Sequence, residues 1–367
     1  MGIFGIFDTN ENELLLKAIN NNDYEKVRSI MEKSFKNGTV IDLNRKDKDG
    51  HYPLLRACHK NDFEITQLLM EYAGKNKIIM NINEKSNIGE YPLLEATIKN
   101  NIDIVRLLMV YASNNKMILN MNEMSDFRDY PLYWATYNNN IELLKLLIEY
   151  ANENQITLFL NEKSKIQSFP LLLACKKNNL DIIKLLMEYA ENNNIVLKLN
   201  DTNKYGCYPL LEATDKNNIE MVKLLFKYAY KHNITLNLNP DDIHRNYPLI
   251  WACYKNNMEM VKLLINYANE HDIILNIDEK NEFGDYPLFL AIKENNNELV
   301  KLLINYSKEK KIVLNLNEDE KYEGKDPLYW ASKNKNIEIT QLLMKFSNEN
   351  KFSLKMNEKD IGSAKVL

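Results

Sequence analysis

Proline recurs in this chain with a fixed spacing, and that spacing constrains the fold more than any other feature. Eight of the nine prolines in the 367 residues share one column, with intervals of 39 residues and a last interval of 40. They are Pro53, Pro92, Pro131, Pro170, Pro209, Pro248, Pro287 and Pro327. Leu14 stands 39 residues before the first of them and opens a ninth copy without proline. Self-similarity at such a period predicts a stack of similar structural units.

The sequence of each copy predicts two helices, and the third copy serves as the example. Pro92 suits the first position of a helix, where its missing N–H needs no partner. A short apolar stretch follows it, and Asn100 and Asn101 end this first helix, since asparagine accepts the left-handed conformation. A second apolar segment begins at Ile102 and predicts a longer helix that continues to about Asn115.

A short extended segment and a tight turn are predicted between one copy and the next. Ile156, Leu158 and Leu160 alternate with other residues at a period of two, which indicates extended backbone. A glycine that can supply a positive φ then stands three places before the proline, at Gly50, Gly89, Gly206, Gly284 and Gly324. Arg128, Gln167 and Arg245 replace it in the other copies, so we expect those three turns to differ in shape.

At these residues the chain resembles the ankyrin-repeat family. Gly-Glu-Tyr-Pro-Leu-Leu-Glu-Ala at 89–96 matches the family's Gly-x-Thr-Pro-Leu-His-x-Ala opening, and residues 102–105 match the Leu-Glu-Ile-Val core of its second helix. The resemblance extends from about residue 12 to residue 357, although the units are longer than the usual length of about 33 residues. It implies a mostly α-helical solenoid of helix-turn-helix repeats, joined by short extended or hairpin segments.

The predicted organisation is one repeat domain over residues 12–357, with a short lead at 1–11 and a tail at 358–367. The last copy keeps Ile337, Ile339 and Leu342, and no complete capping unit follows it. Terminal repeats usually present a polar outer face, so self-association through this C-terminal repeat is an open alternative to a monomer.

Composition argues against nucleic acids and membranes as partners. The net charge is −4, from 47 basic and 51 acidic residues, and lysine alternates with glutamate instead of forming a basic stripe. Residues 1–10 lack the features of a signal peptide, and no stretch approaches the 18 apolar residues or so that a membrane span needs. We expect a soluble intracellular protein of the cytoplasm, with the nucleus as an alternative.

The sequence contains no pattern typical of catalysis or of metal binding, and we predict a protein that is not an enzyme and has no cofactor. Cys58, Cys175 and Cys253 share a column of packing positions, which indicates reduced thiols in the core. His59 follows Cys58, but a nucleophilic cysteine needs a positioned base and a third group that orients it. The five histidines are scattered along the chain without metal-ligand spacing, so no metal site is predicted.

The resemblance implies that partners bind a concave surface, lined by the turn tips and by the outward face of each first helix. The row before the turn glycine is largely apolar and consists of Ile88, Phe127, Ile166, Tyr205, His244 and Phe283. Exposed apolar residues in a row favour a binding patch, but the same residues could brace one hairpin against the next.

Two further columns belong to the candidate surface. Six places after the proline, the residue type changes from copy to copy: Ile98, Tyr137, Lys176, Asp215 and Tyr254. Trp134 and Trp251 lie about one turn earlier, where they could anchor an interface or pack half-buried.

These patterns predict a non-catalytic scaffold that binds another protein, whose identity the sequence does not indicate. Two alternatives stay open. One is a structural spacer or a self-associating array that uses the C-terminal end, and the other is a regulatory module of an enzyme.

Overall fold

The computed structural model describes residues 9–314, 316 and 326–350, and in this part of the chain helices alternate with turns and irregular segments. The helices are α1 (Thr9–Asn20), α2 (Tyr24–Lys36), α3 (Pro53–His59), α4 (Phe63–Asn76), α5 (Pro92–Ile98), α6 (Ile102–Asn114), α7 (Pro131–Tyr137), α8 (Ile141–Glu153), α9 (Pro170–Lys176), α10 (Leu180–Asn192), α11 (Pro209–Asp215), α12 (Ile219–Lys231), α13 (Pro248–Tyr254), α14 (Met258–Glu270), α15 (Pro287–Lys293), α16 (Asn297–Glu309), α17 (Pro327–Lys333) and α18 (Ile337–Glu349). Each pair is one helical hairpin, as the sequence predicts.

Two compact units divide the chain, an N-terminal unit (Met1–Leu197) and a C-terminal unit (Lys198–Leu367). In the N-terminal unit, the first helices α3, α5, α7 and α9 pack in series, and the second helices α4 and α6 pack on each other. In the C-terminal unit, α11, α13, α15 and α17 form the same kind of series. This packing between successive copies confirms the predicted fold class. The predicted domain limits at residues 11, 12, 357 and 358 stay predictions, and the tail lies outside the described residues.

Proline and asparagine set the helix boundaries for local reasons. Pro92 occupies the first turn of α5, and Asn100, with a φ of 56°, takes the left-handed conformation that ends it. The side chain of Asn101 then caps α6 by accepting a hydrogen bond from the N–H of Ile104 at 3.0 Å. The first copy has Leu14 in place of proline, and its first helix, α1, begins at Thr9, before the position at which proline starts the first helix of the other copies.

The core contains the apolar faces of both helices and two columns of tyrosines. In α5 and α6, Leu93, Leu94, Ile104 and Leu108 are fully buried. The tyrosines that precede the prolines are buried too, and Tyr91 donates its hydroxyl proton to the carbonyl of Glu123 at 2.8 Å. These side chains are packing residues, as their faithful repetition indicates.

The segment after each second helix alternates as predicted but forms no strand in the described part of the chain. Leu158 and Leu160 are buried, and Phe159 between them is exposed. The N–H of Leu158 donates to the hydroxyl of Tyr189 at 3.0 Å, and the N–H of Phe159 donates to Oδ1 of Asn122 at 3.0 Å. The backbone N–H groups of this segment therefore bond to side chains of neighbouring copies instead of to the backbone of another strand.

The turns without glycine keep the backbone of those that have it, contrary to the expectation from sequence. Gly89 has a φ of 81°, and its N–H donates to the carbonyl of Ser86 at 3.1 Å. Arg128 has a φ of 59° and makes the equivalent bond to Ser125 at 2.9 Å. Gln167 and Arg245 also adopt positive φ values, of 58° and 62°. Side chains occupy this conformation at some cost in energy, which the surrounding turn offsets. Gly324 lies outside the described residues.

Candidate protein-binding surface

The turn tips of the N-terminal unit expose apolar side chains although their backbones are paired. The carbonyl of Ile88 accepts a hydrogen bond from the N–H of Asp126 at 3.1 Å, and that of Phe127 accepts one from Lys165 at 2.9 Å. The side chains of Ile88, Phe127 and Ile166 nevertheless remain exposed, Phe127 at 54%. The backbone thus braces one tip against the next, and the apolar side chains stay available on the surface.

The tips of the C-terminal unit repeat this arrangement. The carbonyl of Tyr205 accepts from the N–H of Ile243 at 3.0 Å, and that of His244 accepts from Glu282 at 3.0 Å. Tyr205 and Phe283 are exposed, and the rings of His244 and Phe283 lie 6.4 Å apart. The His244 side chain is also exposed, and its Nδ1 lies 2.7 Å from Oε1 of Glu282. The structure therefore brings two of the predicted residues, His244 and Phe283, together.

An aromatic cluster lies on the first helix α7 of the N-terminal unit. The rings of Trp134 and Tyr137 meet edge to face at 5.0 Å, and Tyr133 lies 6.3 Å from Tyr137. Nε1 of the half-buried Trp134 donates to Oδ2 of Asp129 at 2.8 Å. Tyr137 is exposed, and Nζ of Lys177 lies 5.0 Å from the centre of its ring. Trp134 is thus fixed by packing and a hydrogen bond, and Tyr137 is the most exposed ring of the cluster.

A similar cluster lies on α13 of the C-terminal unit. Trp251 is half-buried, and its ring meets that of Tyr254 edge to face at 5.7 Å. Nζ of Lys255 lies 5.6 Å from the ring of Trp251 and 5.4 Å from that of Tyr254, whose side chain is 51% exposed. An ammonium group over an aromatic face contributes about 0.5–1 kcal/mol at exposed sites.

The other members of the variable column do not form aromatic clusters in the structure. Ile98 is half-buried at the end of α5. Lys176 is exposed, and Asp215 forms an ion pair with Lys216 at 2.8 Å. This column therefore carries apolar, basic, acidic and aromatic side chains in different copies, and among these residues Tyr137 and Tyr254 present large exposed rings.

The thiol of Cys58 is not part of a nucleophilic pair. Its side chain is fully buried, and this burial raises the pKa of the thiol. Nδ1 of the adjacent His59 lies 3.0 Å from Oε2 of Glu95 and so faces a carboxylate. Cys58 is a packing residue, in agreement with the interpretation of its column.

One group of polar residues is not apparent from the sequence: His51 and Glu90 share the column two places before the proline, but His59 lies in another column. His51 and His59 flank the short helix α3, and their ring centres lie 5.9 Å apart. Glu90, from the next copy, approaches both of them. The sequence does place two histidines at the two ends of one seven-residue helix, which is the signal that could have indicated this cluster.

Comparison with known proteins gives one positive result. The family model of ankyrin repeats (3 copies) matches residues 14–120, 108–189, 151–237 and 249–355. No curated protein matches the chain. No helix among the described residues is long and apolar enough to cross a membrane. Ankyrin repeats are generally protein–protein interaction modules. With a family match over most of its length and a helical hairpin in every copy that the structure describes, this chain belongs to the ankyrin-repeat family.

Proposed function

We propose that this protein is a non-catalytic scaffold that binds another protein on the face formed by its turn tips and first helices. The observation that carries the proposal is the exposure of apolar tip residues such as Phe127 and Phe283. The backbone of each tip already pairs with a neighbouring tip, through the carbonyl of Phe127 and through the N–H of Glu282 beside Phe283, so the turn does not need these side chains for its own stability. Exposed apolar residues that recur along a surface are typical of interaction sites.

The aromatic clusters supply anchors for such a partner. Tyr137 and Tyr254 present exposed rings that are supported by a half-buried tryptophan in each unit. Tyrosine and tryptophan contribute most of the binding energy in many interfaces, because they bury a large area with few rotatable bonds.

Lysines beside the rings indicate the charge of the partner. Lys177 and Lys255 lie within cation–π distance of Tyr137 and Tyr254. The same column, one place after each first helix, also carries Lys60, Lys99 and Lys216. We therefore propose a partner segment that combines aromatic or aliphatic side chains with carboxylates, so that binding weakens as salt increases.

A pair of variants tests this proposal. Tyr137→Ala combined with Tyr254→Ala removes both exposed rings, and Val110→Ala on the second helix α6 is the control at another exposed position. We expect the double variant to keep its circular dichroism spectrum and melting curve but to lose the salt-sensitive proteins that the wild type captures from a lysate. A capture profile that is the same for all three proteins would contradict the proposed surface.

Self-association through the C-terminal repeat is a second candidate, and one observation favours it. Ile337 and Met344 of the last described helix, α18, are exposed apolar residues. Light scattering over a range of concentrations tests this candidate directly. If the protein self-associates, its measured mass should rise with concentration in the wild type and rise less in Met344→Ser. A constant monomer mass would exclude self-association.

We propose the cytoplasm as the location of this scaffold, and neither nucleic acid nor a membrane as its partner. Buried thiols such as Cys58 and Cys253 are compatible with a reducing compartment. The interleaving of lysine with acidic residues supports a protein partner better than a polyanion.

A further inference from the structure

Two histidines and a glutamate converge in the N-terminal unit, at the junction of the second and third copies. His51 precedes α3 and His59 ends it, whereas Glu90 precedes α5. One ligand atom from each of the three side chains lies within 4.8 Å of the other two. Nε2 of His51 is 3.0 Å from Oε2 of Glu90. The three groups therefore surround one point in space.

Each imidazole has a second carboxylate at its Nδ1 atom. Oε2 of Glu95 lies 3.0 Å from Nδ1 of His59, and the Glu95 side chain is only 2% exposed. In the neutral tautomer that donates from Nδ1 to Glu95, the lone pair of Nε2 is available to a metal. Histidines that bind metals usually make this kind of hydrogen bond through the other ring nitrogen.

His51 has a buried nitrogen that still lacks a partner. The residue is 7% exposed, and its Nδ1 makes no hydrogen bond with any described residue. The nearest carboxylate oxygen is Oδ1 of Asp47 at 3.8 Å, and Asp47 is held in place by an ion pair with Arg56. A buried polar atom without a partner costs free energy, so a hydrogen bond between Nδ1 and Asp47 would stabilise the site.

We propose that His51, His59 and Glu90 bind a divalent transition-metal ion of the zinc type, with Asp47 and Glu95 orienting the two imidazoles. The metal replaces the proton between Nε2 of His51 and Glu90, and that proton moves to Nδ1. There it faces Asp47, and a small rotation of the ring makes the missing hydrogen bond.

The ligand set and its geometry favour zinc over magnesium or calcium. Imidazole nitrogen suits zinc, copper and nickel, whereas magnesium and calcium prefer oxygen ligands. Ligand atoms around tetrahedral zinc lie about 3.3 Å apart, so His51 and Glu90, at 3.0 Å, are already near this distance and the main movement required is that of His59 toward them. The His59 side chain is 37% exposed at the end of α3 and has room to move.

Charge supports the same assignment. Arg56 neutralises Asp47, and the two remaining carboxylates, Glu90 and Glu95, are balanced by one divalent cation when both histidines are neutral. The metal would link two successive copies and leave a fourth position for water or for a group from a partner. The proposal departs from the sequence analysis, which predicted no metal site, and it does not depend on the proposed protein partner.

Calorimetric titration tests the site in the full-length chain, produced without a polyhistidine tag, stripped with a chelator and dialysed. We expect one Zn²⁺ per chain, no binding of Mg²⁺, and the visible absorption of tetrahedral Co²⁺ when cobalt replaces zinc. His59→Gln and Glu90→Gln should each weaken zinc binding at least about tenfold. His244→Gln is the matched control, because His244 also pairs with a glutamate but on a turn tip.

The variant His59→Gln should keep the wild-type circular dichroism spectrum, because His59 is partly exposed. A loss of zinc binding in this variant then results from the loss of a metal ligand and not from unfolding. A wild-type chain that takes up no stoichiometric zinc would overturn the proposal. So would zinc binding that is the same in His59→Gln and Glu90→Gln as in the wild type.

Discussion

The hydroxyl of Tyr150 accepts a hydrogen bond at 3.1 Å from the backbone N–H of Leu119, which belongs to the segment before its own copy. The same bond, always across 31 residues, joins Tyr72 to Ile41, Tyr111 to Met80, Tyr189 to Leu158, Tyr267 to Leu236 and Tyr306 to Leu275. This column of tyrosines satisfies the buried backbone of segments that form no strand. It is therefore a polar connection between copies inside an apolar core.

Removal of one hydroxyl from this column of tyrosines should lower the stability of the fold. Tyr150→Phe leaves the buried N–H of Leu119 without its partner, and we expect a loss of about 1–3 kcal/mol in the free energy of unfolding. Urea denaturation followed by circular dichroism measures this loss. Tyr137→Phe, at an exposed ring, is the control and should stay within about 0.5 kcal/mol of the wild type. Equal stability of the two variants would mean that water replaces the hydroxyl in the core.

The asparagine that caps each second helix from α6 onward has functions that substitutions can separate, as Asn140 shows. Oδ1 of Asn140 caps α8 by accepting from Leu143 at 3.0 Å, and its Nδ2 donates to Oδ1 of Asn100 in the preceding copy at 2.7 Å. Asn140→Ala loses both bonds and should cost about 1–2 kcal/mol. Asn140→Asp keeps the cap and should cost less in the same urea experiment. If aspartate costs as much stability as alanine, the cap contributes little and the bond between copies accounts for the loss.

Two glycines should respond in opposite directions to alanine. Gly89 has a φ of 81°, and a Cβ atom there would meet the Cα of Ser125 at 2.9 Å, so Gly89→Ala should lose about 1–3 kcal/mol of stability. Gly74 lies in the helix α4, where an added Cβ meets nothing within 4 Å. Gly74→Ala should therefore gain about 0.5–1 kcal/mol. Thermal denaturation of both variants checks the sign, and a stabilised Gly89→Ala would show that the turn tips are not closely stacked.

Alkaline pH should unfold the protein cooperatively. Burial raises the pKa of the tyrosines that precede the prolines: Tyr52, Tyr91, Tyr130, Tyr208, Tyr247 and Tyr286. Such a group stays protonated in the folded state but ionises in the unfolded state above about pH 10. Its contribution to stability is thus present below that pH and is lost as the pH rises, by about 1.4 kcal/mol per pH unit for each tyrosine.

A pH titration that follows helicity and tyrosinate absorbance together tests this prediction. We expect these six tyrosines to ionise only in the pH range where the helical signal disappears. Ionisation of all tyrosines while the helical signal persists would show that the core admits water.

Local chemistry in the sequence was enough to predict the elements of each copy. Pro92 determines where α5 begins, because its ring fixes φ and its missing N–H needs no partner there. Asn101 determines where α6 begins, because its short side chain reaches the free N–H groups of the first turn. The alternation of Leu158 and Leu160 predicted which side chains are buried, and the repeated columns predicted the turn tips as a row. All of these follow from contacts within a few residues, repeated at a constant period.

Contacts between copies decided the rest. The sequence does not reveal that the N–H of Leu119 finds the hydroxyl of Tyr150, or that Arg128 accepts the left-handed conformation of a glycine, since neighbouring copies impose both. The convergence of His51, His59 and Glu90 was equally hidden, because residues of successive copies meet only after α3 and α5 pack side by side. Side-chain partners at long range depend on the register between copies, and packing of the apolar faces sets that register.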